Sequence, residues 1–223
     1  MNDETKGGTL IAKAYNELKA DIIRGRLTPH EKLKVEHLKR DYGVSGGTLR
    51  EALTMLMADR LVESEGQRGF RVKAISPDEL IDLNRIRVLL EKEAIRQAVE
   101  HGDEEWEAAV VTSFHLLTKT TRAFAANPSD VSLLEQWEER HRAFHLALVS
   151  ASPSGWLQYF LHMAYQQYER YRHLFLEVAQ LTYKDRNPQA EHTDIVDAVL
   201  ARDGDLAARL TEEHISRSID EWA

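Results

Sequence analysis

Apolar residues first repeat every three or four positions between Leu10 and Gly25, where Ile11, Tyr15, Leu18, Ile22 and Ile23 form one stripe and Gly25 offers a stop. That spacing predicts a helix. Pro29 falls in the following turn, and Leu33, Val35 and Leu38 predict a short second helix ending at Tyr42 and Gly43. From Asp41 to Leu61 the pattern sharpens. Ser45 suits the N-cap of a third helix whose apolar face is Leu49, Ala52, Leu53 and Leu56. Its opposite face offers Gly46, Gly47, Thr48, Arg50 and Thr54, small or hydrogen-bonding groups around one cation. Beyond Leu61 the period changes to two: Val62 to Ser64 and Phe70 to Val72 read as paired strands around a loop from Glu65 to Gly69. Three helices and a hairpin predict a winged helix-turn-helix over residues 1–74.

Ser76-Pro77-Asp78-Glu79 is a helix-start signal and marks a domain boundary. Residues 75–223 then carry only helical periodicity, over Pro77 to Glu100, Glu104 to Ala126, Val131 to Ser150, Trp156 to Gln180, Pro188 to Ala201 and Asp205 to Trp222. Asp, Asn, Gly and Pro mark the breaks between these segments. The fold class expected is mainly α: a winged helix-turn-helix followed by an all-α antiparallel helical bundle.

Composition adds to this picture. A chain of 223 residues favours two domains, and 43% hydrophobic residues supply cores for both. No apolar run is long enough to span a membrane and no charged-then-apolar leader opens the chain, so a soluble, cytoplasmic protein is expected, with no membrane partner. With no cysteine, any metal must be held by His or carboxylate. Charge divides unevenly: 14 Lys+Arg stand against 11 Asp+Glu over residues 1–74, but 15 against 26 over residues 75–223. A mildly basic front on an acidic back fits a DNA-binding head on a body that stays off the phosphates.

The bare face of the third helix suits the DNA major groove. Its N-terminus and Ser45, Gly46, Gly47, Thr48 and Arg50 would meet phosphates or base edges, while Gln67 and Arg68 at the wing tip would reach the minor groove or backbone. An ordinary amphipathic helix that begins with two glycines is the competing reading. Eight of the ten histidines lie after residue 74. His141 and His145 share one helix face, and His192 and His214 lie where two later helices can bring them together. Four imidazoles could therefore converge on a divalent metal, or they could be surface and interface residues. Tyr165, Tyr168, Arg172 and His173 could line a pocket or serve simply as core.

The stretch "IIRGRLTP…KL…YGVSGGTLREALTMLMADRLV…GFRV" resembles the N-terminal domain of GntR-type bacterial transcription regulators. One departure is that Ser45-Gly46-Gly47-Thr48 lacks the arginine most relatives carry after the serine, although Arg50 is retained. The second half resembles the FCD ligand-sensing domain of the FadR branch through Phe144-His145, Glu191-His192, Gly204-Asp205 and His214. The resemblance implies three metal-ligating histidines, His145, His192 and His214, with His141 in place of the usual Asp. It further implies that Arg87 lies near the ligand, where it could capture a carboxylate bidentately or pair with Glu91 on the next turn. An all-His site suits Zn or Ni over Mg or Ca, with Glu138 a fallback ligand. Within the branch the likeness runs to regulators of glutarate and 4-aminobutyrate pathways, which implies a glutarate-like dicarboxylate as effector. The function expected is a homodimeric repressor of a pseudo-palindromic double-stranded DNA operator, retuned by a small carboxylate. A metal-free regulator responsive to acyl-CoA or a sugar acid is the alternative. An enzyme is not expected: a di-iron bundle needs two Glu-x-x-His pairs, and this region shows one, Glu138 to His141.

Overall fold

A computed structural model describes residues 3–66, 69–179 and 186–220. Its elements are α1 (Asp3–Ile23), β1 (Lys32–Leu33), α2 (Val35–Tyr42), α3 (Gly46–Ala58), β2 (Val62–Ser64), β3 (Phe70–Val72), α4 (Pro77–His101), α5 (Glu104–Ala126), α6 (Val131–Val149), α7 (Gly155–Ala179), α8 (Pro188–Leu200) and α9 (Gly204–Asp220). The chain is mainly α. It divides into two compact units: the residues up to Leu80 together with α7 from Gln166 onward, and Ile81–Tyr165 together with α8 and α9. Helix α7 thus contributes to both.

In the first unit, Leu49, Ala52, Leu53 and Leu56 of α3 are fully buried against Ala14, Leu18 and Ile22 of α1, closing the face that the spacing marks as apolar. Ser45 caps α3, accepting from the Thr48 amide at 3.1 Å. Gly43 ends α2 in the left-handed region, at φ 63°. At the far end of α3, Asp59 caps the helix and accepts from Lys19 at 2.8 Å and from the Tyr15 hydroxyl. Leu33, expected in the second helix, is instead in a strand. β1 pairs antiparallel with β3 (Leu33 opposite Phe70), giving a three-stranded sheet in the order β1-β3-β2, and α2 starts two residues later at Val35. The leucine enters the core either way, 3% exposed, so hydrophobicity alone did not separate the alternatives. The wing residues Gln67 and Arg68 lie outside the described residues.

The C-terminal part of α7 grips the segment that follows the wing. Gln167 donates to the Asp59 carbonyl at 2.5 Å, Arg170 to the Lys73 and Ala74 carbonyls, and Tyr171 to Glu79 at 2.8 Å while accepting from the Ser76 amide. Glu79 also pairs with Lys73. Burial alone would push the Glu79 carboxyl up, but the hydrogen bonds from Lys73 and Tyr171 outweigh it and hold the group below the usual carboxylate range. Burial, followed by the bond to Glu79, pushes the Tyr171 phenol up to about 12.

In the second unit the helix ends follow the cap signals. Asp103 accepts from the Trp106 amide at 2.9 Å, Asp130 from the Ser132 amide at 2.9 Å, and Asn187 from the Ala190 amide at 3.1 Å. α5 packs along α6, α8 along α9, and α5 against α8, over a core that includes Ile95, Val110, Leu117, Phe144, Leu161, Ile195 and Ile215. Between α4 and α5 only glycine fits at 102, since a Cβ there would lie 2.6 Å from the Ala98 carbonyl and closer still to the Trp106 ring. Among the described residues, no helix is long and apolar enough to cross a membrane.

Because the Glu79 carboxyl is held low in the folded chain, its contribution is complete above the unfolded carboxylate value, about pH 4.3, and is lost as pH falls through the folded value. With a third of that side chain exposed, Glu79→Gln should cost about 1 kcal/mol at neutral pH. It should also flatten the acid limb of a urea-melt stability profile, and an unaltered acid limb would refute the assignment.

Candidate metal centre and DNA-facing helix

Three helices bring the four predicted histidines together. His141 and His145 project one turn apart from α6, His192 from the first turns of α8, and His214 from the second half of α9. Each offers one ligand atom, and the four atoms lie within 4.8 Å of one another. The Nε2 atoms of His141 and His145 are 3.3 Å apart and those of His192 and His214 are 3.2 Å apart. His145, His192 and His214 are 2%, 3% and 6% exposed. His141 is more open and stacks on Trp137 at 4.9 Å.

The donor set fits a tetrahedral metal. Arms of about 2.0–2.1 Å to imidazole nitrogen imply edges of about 3.3–3.4 Å, close to both Nε2 separations. A second layer orients the donors. His214 Nδ1 lies 2.8 Å from Glu191 Oε2, so its proton is assigned there and its Nε2 keeps a lone pair aimed at the cluster. Glu191 is held in turn by Arg186 at 2.7 Å and Arg217 at 3.4 Å. Burial pushes the Glu191 carboxyl up, but the hydrogen bonds from His214 and Arg186 hold it far below its ordinary range. Burial also lowers the His214 imidazole, against a smaller upward pull from Glu191, keeping it neutral and able to ligate at pH 7. Glu138, the fallback ligand, is not among the clustered groups.

Beside the histidines lies a buried polar group. Arg87 pairs with Glu91 at 2.8 Å, and their side chains are only 4% and 2% exposed, so the pair expected between these residues is an interior one. Glu91 reaches within 4.0 Å of His145 Nδ1. Arg87 also donates to Asn84 Oδ1 at 3.4 Å and lies 5.1 Å from the centre of the Tyr165 ring. Three buried donors here and on α9 make no hydrogen bond: Asn84 Nδ2, the Tyr165 hydroxyl and Thr211 Oγ1, the last one turn before His214. Leaving such groups unpaired costs about 1–3 kcal/mol each, the usual mark of a site shaped for something else. Burial, then the charge of Glu91, raises the Tyr165 phenol well above its ordinary value, so it stays a proton donor. Arg172 belongs to the first unit, where it lies 5.6 Å from the Tyr168 ring centre, and is not among the groups around the histidines.

On α3, Ser45, Gly47, Arg50 and Thr54 are exposed on the face opposite the core, and Gly46 and Thr48 are partly so. A Cβ at Gly46 would meet Val35 at 3.4 Å and at Gly47 would meet Ser45 at 3.7 Å, ordinary contacts. Space within the chain therefore does not require these glycines. They leave the helix N-terminus open for close approach of another backbone.

Residues 10–72 match the family model "Bacterial regulatory proteins, gntR family", and residues 82–217 match the FCD domain. Among curated relatives, an uncharacterized HTH-type transcriptional regulator, BphR, of Paraburkholderia xenovorans (strain LB400) is 45% identical over 211 residues, covering 95% of this chain and 84% of the relative. The HTH-type transcriptional repressor GlaR of Escherichia coli (strain K12) is 37% identical, covering 90% of each chain. The solved structure of E. coli McbR/YncC superposes with a TM-score of 0.79 at 23% identity over 95% of each chain, a likeness of fold. The chain is a helix-turn-helix transcription regulator, not an enzyme. More particularly, it belongs to the GntR family and carries an FCD domain.

Four contributors escaped the sequence: Asn84, Glu91 as a bridge toward His145, Thr211, and Glu191 as the orienting carboxylate. If the unpaired donors are kept for a ligand, removing one should stabilise the ligand-free chain. Thr211→Val and Tyr165→Phe are each expected to raise the calorimetric midpoint by about 2–4 °C, corresponding to about 1 kcal/mol. A lower midpoint in both would mean that the groups are satisfied.

Proposed function

We propose that this chain is a homodimeric repressor that binds a pseudo-palindromic operator through α3 and is retuned by a small carboxylate at a His-ligated metal in the FCD domain. The convergence of His141, His145, His192 and His214 within 4.8 Å carries the reading. These four residues would hold the ion, and an all-nitrogen, charge-neutral set favours Zn or Ni. When bound, such a cation supplies a Lewis-acidic site for a carboxylate oxygen. Arg87, Asn84 and Tyr165 would bind the effector, Arg87 by exchanging part of its pairing with Glu91 for the incoming carboxylate. A glutarate-like dicarboxylate is the first candidate, from the likeness of the motifs. In the head, Ser45, Gly46, Gly47, Thr48 and Arg50 would contact DNA, with Arg68 at the wing.

Helix α7 gives the response a physical route. It carries Tyr165 beside Arg87 and, within two turns, the Gln167, Arg170 and Tyr171 grips on the segment after the wing. A hydrogen-bonded helix is stiff along its axis and transmits axial displacement along its length, so an effector that moved Tyr165 would load those grips. A coupling of about 1–3 kcal/mol is the usual scale.

Elemental analysis of the purified protein should give one Zn or Ni per chain, falling to below one tenth in His192→Ala. A thermal-shift screen against mono- and dicarboxylates should then show a carboxylate hit that disappears on chelation. A hit that survives both chelation and the alanine changes would favour a metal-free acyl-CoA or sugar-acid sensor. For the head, Arg50→Ala should weaken operator binding by ~1–3 kcal/mol in an anisotropy titration, and an equal affinity would remove Arg50 from the DNA contacts.

A further inference from the structure

Three aromatic rings at the start of α7 have no role in the reading above. Trp156 is 73% exposed, Tyr159 54% and Phe160 49%, and they are the only aromatic residues among the exposed large hydrophobics of the described chain. They are not scattered. Trp156 and Phe160 stack at 6.0 Å with planes 26° apart, Tyr159 meets Trp156 edge-on at 5.9 Å, and Tyr159 meets Phe160 at 5.5 Å. Residues at i, i+3 and i+4 of one helix thus form a single preorganised apolar plate. Stable monomers seldom leave such a plate in water.

Charge narrows what can cover it. Although 30% of the chain is Asp, Glu, Lys or Arg, none occurs between Ala143 and Tyr168, a stretch that contains the whole plate. Depletion of charge around Trp and Tyr is the composition of an interface core. A phosphate backbone finds no cation here to pair with, and neither a basic nor an acidic partner finds a complement. A second copy of this chain is different: with a net charge of −8, two copies repel almost everywhere, but this uncharged face lets them meet.

Area agrees. At about 150–250 Å² per ring, the exposed fractions leave about 400 Å² of aromatic surface, half of the roughly 800 Å² per partner that a stable interface buries. Polar and small neighbours on the same face can supply the remainder as a rim. We infer that Trp156, Tyr159 and Phe160 form the centre of a two-fold symmetric dimer interface, the same plate from each copy stacking on the other. This rests on the homodimer reading and places its contact on α7.

Sedimentation equilibrium tests both parts. The wild type should be dimeric, and Phe160→Glu, which puts two carboxylates against two aromatic plates, should raise the dimer dissociation constant at least a hundredfold. Because Phe160 is exposed, the far-ultraviolet dichroism and thermal midpoint at matched monomer concentration should be kept. A monomeric wild type would overturn the dimer reading itself and give the plate to another partner. A wild-type dimer that Phe160→Glu leaves intact would overturn only the location. The absence of cysteine allows an independent check. Spin labels on Trp156→Cys, Tyr159→Cys or Phe160→Cys, one at a time, should give inter-chain distances within about two helix diameters, ~20–24 Å. Distances of twice that span at all three positions would place the interface elsewhere.

Discussion

Four imidazoles whose Nε2 atoms approach to 3.2–3.3 Å inside a helical bundle constrain everything around them. Imidazoles are polar, and burying them side by side without a shared partner would leave lone pairs facing lone pairs or protons facing protons. The surroundings are built to fix which nitrogen carries the proton. Glu191 takes the Nδ1 proton of His214 in a hydrogen bond, and Arg186 and Arg217 keep Glu191 ionised for that task. Aromatic neighbours then fix the rings: Trp137 stacks on His141, and Phe144 meets His145 at 5.3 Å and His192 at 5.0 Å. Helix lengths and caps in the second unit serve the same end, because a slip of one residue in α6, α8 or α9 would rotate a donor by about 100° out of the cluster.

The head answers a different constraint. There the apolar face of α3 is wholly consumed by α1, and what remains outside is a capped N-terminus, two glycines, two threonines and one arginine. Such a face has little to offer a protein partner and much to offer a phosphate or a base edge. The Asp59 network at the other end of the helix, with Lys19 and Tyr15, ties α3 to α1 by polar contacts as well as apolar ones, fixing the direction in which that face points.

Much of this was legible in the sequence because short-range chemistry decides it. Ser45, Asp103, Asp130 and Asn187-Pro188 each mark a helix start with a side chain that accepts the first-turn amides, and the helices begin there. The histidines were legible as a pattern, two at i and i+4 and two on later helices, since only a limited set of folds can make use of them together. Strand β1 was not legible. It is two residues long, and Leu33 satisfies the apolar pattern of a helix as well as that of a strand. Nor were Asn84 and Thr211, because a polar residue on a helix is ordinary until its burial is known. Here the residues are 0% and 2% exposed with donors unmet. The Arg87–Glu91 spacing suggested a pair equally well inside or outside, and only the packing of Tyr165 and His145 around it places it in the interior.

That interior pair shapes what the site can recognise. A buried arginine with no counter-charge would be costly, so Glu91 neutralises it at 2.8 Å, and the two together add almost no net field. Selectivity for an anion then cannot come from Arg87 alone. It must come from the metal charge that four neutral imidazoles leave uncancelled, and from the neutral donors of Asn84 and Tyr165, whose hydrogen bonds have geometry but little reach. A ligand satisfying both needs an anionic oxygen for the first and a further acceptor at a fixed distance for the second. The length of the molecule is therefore read as well as its charge, and relatives with the same four ligands but other residues at 84, 165 and 211 would be expected to answer different acids.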